Sequence, residues 1–213
     1  MSFEDYEDDL HLPSQVFVGR KAPNFTAKAI MPDNSISFDF DLAEYADGSK
    51  IVLLFYPLDF TFVCPSELIA LNNHLGEFSE RNTKVVTVSV DSHFSHLAWK
   101  NTPYSKGGID NVQYPMVSDL NKTISLAYNV LNHDGISMRG TFIIDEDFVV
   151  RHILVNDLPL GRSIEEVLRM LDAIDYHREN GEVCPAGWKK GNAAMEATAE
   201  GVADYLTSNA ERL

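Results

Sequence analysis

Cysteine is nearly absent: the 213-residue chain has two, Cys64 and Cys184. Two cysteines do not make a disulfide scaffold in a chain of this length, and alone they do not complete a four-ligand zinc site. There is no C-x-x-C pair, which argues against a disulfide exchanger. Basic residues are scarce as well. Lys and Arg total 17 against 32 Asp and Glu, giving a net charge of −15. Phosphate-backbone binding needs clustered Lys and Arg, so neither nucleic acid nor an anionic membrane surface is an expected partner. The charge reads as simple solubility. Long apolar runs are also missing. The longest, Ile51 to Tyr56, is far too short to span a bilayer. MSFEDYEDDL at the N-terminus has no apolar signal core, so the expectation is no secretion signal and a reducing, cytoplasmic setting. His93 and His96 lie three apart without a Cys or carboxylate at ligand spacing. They read as surface or capping histidines, and no metal is expected.

What is present is the pattern of one ordinary domain with arms. Residues 1–15 read as a flexible acidic arm. Phe25–Ile30 and Ser35–Phe40 alternate like short strands around a turn at Pro32-Asp33-Asn34. Asp41–Tyr45 suggests one helical turn, stopped at Asp47-Gly48. Ile51–Pro57 is apolar on both faces, as a central strand should be. Leu68, Leu71, Leu75 and Phe78 form one stripe of a following helix. Lys84–Val90 is a second buried strand, completing a βαβ unit with a parallel pair. His93–Lys100 and Asn121–Asn129 read as helices, and Thr141–Val155 as a hairpin turning at Asp145-Glu146-Asp147. Ser163 with Glu166 three residues on is a capping box. It opens a helix whose buried stripe is Ile164, Val167, Leu168, Leu171 and Ile174. A mixed sheet with helices on both faces follows, an α/β class. After Gly181 the periodicity weakens into an extended C-terminal tail, with a helical stretch near Ala193–Leu206. No internal repeat or low-complexity segment is visible.

The chemistry concentrates in FYPLDFTFVCPSEL, Phe55–Leu68. Pro65 suits the first helical position, because its missing N–H would be unpaired there anyway. Cys64 therefore belongs at the helix N-cap or just before it. The partial positive charge and free N–H groups at that end favour a thiolate, the reactive form of cysteine. A buried structural cysteine fits the same local signals equally well. Cys184 lies far along the chain in GEVCPAGW, again before a proline, in a mobile-looking tail.

FYPLDFTFVCPSEL and GEVCPAGW together resemble the typical 2-Cys peroxiredoxins, the group that includes the peroxidase component of alkyl hydroperoxide reductase. VGRKAPNFTA, HFSHLAW, GISMRGTFIID and VNDLPLGRS match the same pattern in the same order, so the resemblance runs from about Val16 to Tyr205. It implies a thioredoxin-like fold over residues 16–180 and a tail, 181–213, that carries a second cysteine. It implies that Cys64 is the peroxidatic cysteine, that Thr61 orients the peroxide, that Pro57 shields the site, and that Arg139 stabilises thiolate and leaving oxygen. Glu67 and Arg162 are implied as a supporting pair. Cys184 is implied as the resolving cysteine, reacting across a homodimer. Thioredoxin or a dedicated disulfide reductase would reopen the disulfide. No cofactor is implied, and dimers of such proteins assemble into rings, typically decamers. The stretch His93–Trp99 resembles a ring-contact region. A chaperone or peroxide-signalling role is the alternative function.

Two departures from the family pattern stand out. The G-G-L-G loop of overoxidation-prone members reads Gly107-Gly108-Ile109-Asp110 here, and their Tyr-Phe tail reads Tyr205-Leu206. Both changes weaken the lock expected to hold Cys64 folded in. Intermediate resistance to sulfinic acid formation is therefore expected. Titrating turnover against rising peroxide, with the protein weighed by mass spectrometry, measures it; ready sulfinylation at low peroxide contradicts it.

Overall fold

Apolar residues on both faces make Lys50–Phe55 a central strand, β3. Its side chains alternate between two layers. Ile51, Leu53 and Phe55 enter one core cluster, while Val52 and Leu54, with Tyr56 beyond the strand, enter the other. The structure, a computed structural model, describes residues 16–213. The acidic arm expected over residues 1–15 lies outside the described residues.

β3 pairs in parallel with β4 (Thr83–Ser89) and antiparallel with β6 (Arg139–Ile144). β4 pairs in parallel with β5 (Met116–Ser118), and β5 antiparallel with β1 (Thr26–Ile30), which pairs with β2 (Ile36–Asp41). On the other side β6 pairs antiparallel with β7 (Val150–Asn156). The result is a seven-stranded mixed sheet in the order β2-β1-β5-β4-β3-β6-β7. The segment from β3 to β4, with the helical stretch between them, is the expected βαβ unit.

Helices cover both faces. α1 (Leu42–Ala46) and α5 (Thr123–Ala127) lie on the side of Phe55 and Phe142. α2 (Cys64–Asn73), α3 (Leu75–Glu80), α4 (His93–Lys100) and α6 (Ile164–Asn180) pack on the side of Val52 and Leu54. Side-chain caps fix several starts. Asp41 accepts from the Ala43 and Glu44 N–H groups, both at 3.0 Å, and α1 ends where Asp47 and Gly48 adopt left-handed backbone. Ser163 accepts from the Glu166 N–H at 3.1 Å to start α6. Only half of the expected capping box forms, because the Glu166 carboxylate turns to Arg169 instead.

Three features differ from the sequence expectation. The single helix expected through Leu68 and Phe78 is two, broken at His74. The His74 ring donates to the Ala70 carbonyl at 2.7 Å, the acceptor that its own backbone N–H would need in a continuous helix. β5, three residues long, is too short to show periodicity. The tail helix α7 (Ala199–Asn209) starts later than Ala193. A bridge between Val183 and Met195 keeps the preceding stretch extended, and Thr198 then caps the helix on the Gly201 N–H at 3.0 Å.

Candidate active site

The loop that follows β3 carries the chemistry. Pro57 is buried at the strand's end, and the chain turns through Leu58–Val63 into α2. Val63 occupies the cap position, Cys64 the first helical residue and Pro65 the second, one step further into the helix than expected. Cys64 is fully buried and reduced. The Thr61 hydroxyl lies 3.0 Å from the Cys64 Sγ and 2.7 Å from the Leu58 carbonyl. A hydroxyl has one proton to donate. With a thiol at Cys64 that proton rests on the Leu58 carbonyl; with a thiolate it turns to the sulfur. Phe60, exposed and within the same loop, has φ 53°, a left-handed conformation that costs a bulky residue about 1–3 kcal/mol.

Two arginines and one carboxylate form the wall behind the sulfur. Arg139, at the start of β6, places Nη1 3.4 Å from the Cys64 Sγ and 2.7 Å from Glu67 Oε2, and its Nε donates to the Leu158 carbonyl at 2.6 Å. Glu67, one turn along α2 from Cys64, accepts from Arg162 three more times: from the backbone N–H at 3.0 Å, Nε at 2.8 Å and Nη2 at 3.0 Å. Arg162 Nη1 also donates to the carbonyls of Phe55 (2.9 Å) and Gly140 (2.7 Å), the ends of β3 and β6. All three side chains are buried. Burial pulls the Arg162 guanidinium down from its ordinary value, and Glu67 opposes that fall. Two cations against one carboxylate leave an excess positive charge beside Cys64.

A second buried network anchors the loop. The Tyr56 hydroxyl donates to Asp59 Oδ1 at 2.7 Å, and His96 Nδ1 lies 2.8 Å from Asp59 Oδ2. His96 Nε2 donates to the Val117 carbonyl at 3.1 Å. The Asp91 carboxylate accepts from the Asp59 N–H at 2.8 Å, and burial pushes that carboxyl up, with the Asp59 charge adding to the effect. His96 is therefore a fully buried partner rather than the surface or capping residue expected. His93 is buried too, stacked on Phe94 at 4.1 Å between ring centroids, and Ser92 caps α4. Asp59 and His96 both stand inside quoted motifs. The signal missed was a carboxylate beside an otherwise apolar loop, which requires a partner when buried.

The structure gathers Thr61, Cys64, Glu67, Arg139 and Arg162, and leaves Cys184 elsewhere. Cys184 is half-buried on α6, its thiol 3.6 Å from the Ala173 carbonyl.

The AhpC/TSA family model matches residues 18–153. The chain belongs to the AhpC/TSA family. A second model, the C-terminal domain of 1-Cys peroxiredoxin, matches residues 173–208, a segment that here contains Cys184. Alkyl hydroperoxide reductase C of Helicobacter pylori (strain J99) is 48% identical over 198 residues, covering 93% of this chain and 100% of that protein. Peroxiredoxin-1 of Gallus gallus is 46% identical, covering 91% of this chain and 96% of that one. The reduced 2-Cys peroxiredoxin of Plasmodium vivax superposes with a TM-score of 0.87 at 49% identity, covering 90% of this chain and 99% of that one. This peroxiredoxin has the thioredoxin-like fold and is a thiol-dependent peroxidase, an oxidoreductase.

Removing Glu67 strands two buried guanidinium groups. Glu67→Ala is expected to cost about 3–5 kcal/mol in equilibrium denaturation, and Glu67→Gln less. A loss below about 1 kcal/mol for the alanine variant contradicts the role of the carboxylate as their shared anchor.

Proposed function

We propose that Cys64 is the peroxidatic cysteine of this peroxidase and Cys184 the resolving one. The Cys64 thiolate attacks one oxygen of hydrogen peroxide or an organic hydroperoxide. The O–O bond breaks, the sulfur becomes a sulfenic acid, and the leaving oxygen takes a proton to depart as water or an alcohol. The observation that carries this reading is the sulfur's seat between the Thr61 hydroxyl (3.0 Å) and Arg139 Nη1 (3.4 Å) at the first turn of α2.

Each residue then has a task. Thr61 turns its proton to the sulfur and orients the bound peroxide, and buried Pro57 excludes water. Arg139 stabilises the thiolate and the charge growing on the leaving oxygen. Glu67 holds Arg139 in place, and Arg162 holds Glu67. The sulfenic acid is next attacked by the partner's Cys184. The S–O bond breaks, water leaves, and an intersubunit disulfide forms. Cys64 is fully buried, so this step requires the first turn of α2 and its strained loop to open. Thioredoxin or a dedicated disulfide reductase returns the disulfide to two thiols.

The working unit in this reading is a homodimer, assembled into a ring, with residues 16–180 as the peroxidase domain and 181–213 as the tail that reaches the partner. Exposed Phe94, beside His93 on α4, supports a contact surface there. Among the described residues no helix is long and apolar enough to cross a membrane. In this reading the setting is reducing and cytoplasmic, in keeping with a chain that has so few cysteines.

Peroxide consumption coupled to thioredoxin and its reductase tests the assignment. Wild type should turn over, Cys64→Ser should be inactive, and Cys184→Ser should react once and stall. Arg139→Ala should slow the peroxide step by about 10²–10³-fold, the loss typical of one missing electrostatic donor. Continued consumption by Cys64→Ser would refute the choice of nucleophile.

A further inference from the structure

One face of α6 is built to hold the tail, and nothing in the peroxide step uses it. Glu166, Arg169, Ala173, Tyr176 and His177 recur at spacings of three and four, on the opposite side from the stripe that packs on the sheet. All but Glu166 meet the segment around Cys184 directly. The Tyr176 hydroxyl donates to the Glu182 carboxylate, and the His177 ring to the Glu182 carbonyl at 2.7 Å. The Cys184 thiol points at the Ala173 carbonyl. Arg169 Nη1 donates to the Trp188 carbonyl at 2.8 Å, and Glu166 fixes that guanidinium through two bonds of 2.7 Å. Trp188 is buried, its ring 4.9 Å from that of Tyr176 and its indole N–H bonded to the Asn192 carbonyl at 3.1 Å. A chain that only trailed toward its partner would need none of these contacts.

We propose that Arg169 is a positioning residue for the resolving step: held by Glu166, it latches the Trp188 carbonyl and so stores Cys184 against its own α6. The proposal rests on Cys184 being the resolving cysteine. A thiol directed at a carbonyl is a neutral donor, and neither it nor buried Cys64 is free to meet the other while both are docked. Burial pushes the Cys184 thiol up, Arg169 opposes that shift and Glu182 adds to it, which keeps the stored sulfur a poor nucleophile. Release of the latch therefore precedes attack on the sulfenic acid. The attack itself is balanced without a further reagent: the Cys184 sulfur bonds to the Cys64 sulfur, the S–O bond breaks, and the hydroxide leaves with the Cys184 proton as water.

The latch sets how long the sulfenic acid waits, and so how much of it meets a second peroxide. Rapid mixing of reduced full-length protein with one equivalent of hydrogen peroxide separates the two phases. In Arg169→Met the peroxide phase at Cys64 should match wild type, and the disulfide phase should be faster by about tenfold, the scale of one charge-assisted hydrogen bond. Arg169→Lys, which keeps the charge and a single donor group, should fall between them. At a fixed excess of peroxide, the sulfinylated fraction weighed by mass spectrometry should drop in Arg169→Met. Amide exchange over residues 182–195 should rise while that of 164–171 stays protected, which separates an open latch from a damaged helix. An unchanged or slower disulfide phase in Arg169→Met overturns the latch, even where the tail exchanges faster. Wild type that forms no Cys64–Cys184 disulfide overturns both the latch and the reading beneath it.

Discussion

The carboxylate of Glu67 is the point on which the site is assembled. It receives one donor from Arg139 and three from Arg162, and Arg162 extends the connection to the carbonyls of Phe55 and Gly140. One side chain on the first turns of α2 thus ties that helix to the ends of β3 and β6 and to the residue before the α6 cap. Buried charges of this kind contribute little net stability over an apolar core of equal volume. Their value here is geometric. They hold a guanidinium 3.4 Å from a sulfur in a place that would otherwise be lined by Leu68, Tyr56 and their neighbours.

That fixed wall faces a loop under tension. Phe60 sits in left-handed backbone, and Asp59 is held from three sides by Tyr56, His96 and Asp91. The reduced state is therefore well defined and fully closed around Cys64. Closure suits the first half of the reaction, where a dry, charged pocket strengthens every electrostatic contact. It opposes the second half, where the sulfur must come out. The tail shows the same division, with Cys184 docked on α6 rather than presented. In the proposed cycle both thiols are stored, and each needs local opening before the disulfide can form. The free energies involved are those of sub-global opening, well below complete unfolding.

Much of the fold was legible because its signals are local. The two-faced run Ile51–Tyr56 had to be a central strand, and Asp41, Ser163 and Gly181 mark helix ends by well-understood capping chemistry. The break at His74 was not legible, since it depends on a side chain taking a carbonyl that backbone periodicity assigns elsewhere. Within the site, Cys64 before Pro65 was visible as a candidate nucleophile, but local physics left it balanced against a buried structural thiol. In the proposed function, the long ordered family pattern tips that balance toward the nucleophile. Arg139 and Arg162 look like strand-end and loop charges in sequence, because their partner Glu67 is 72 and 95 residues away. His96 was misread for the same reason: its partner Asp59 lies on another element and gives no spacing signal.

Cys64 and Cys184 reacting with each other across two chains is the central claim. Mixed subunits measure this directly. Cys64→Ser and Cys184→Ser chains are combined, given one equivalent of hydrogen peroxide, and digested without reduction for peptide mass analysis. The mixture should yield a covalent dimer with a Cys64–Cys184 linked peptide, and Cys64→Ser chains alone should yield none. A mixture without that peptide, together with wild type that forms its disulfide within a single chain, would contradict the claim.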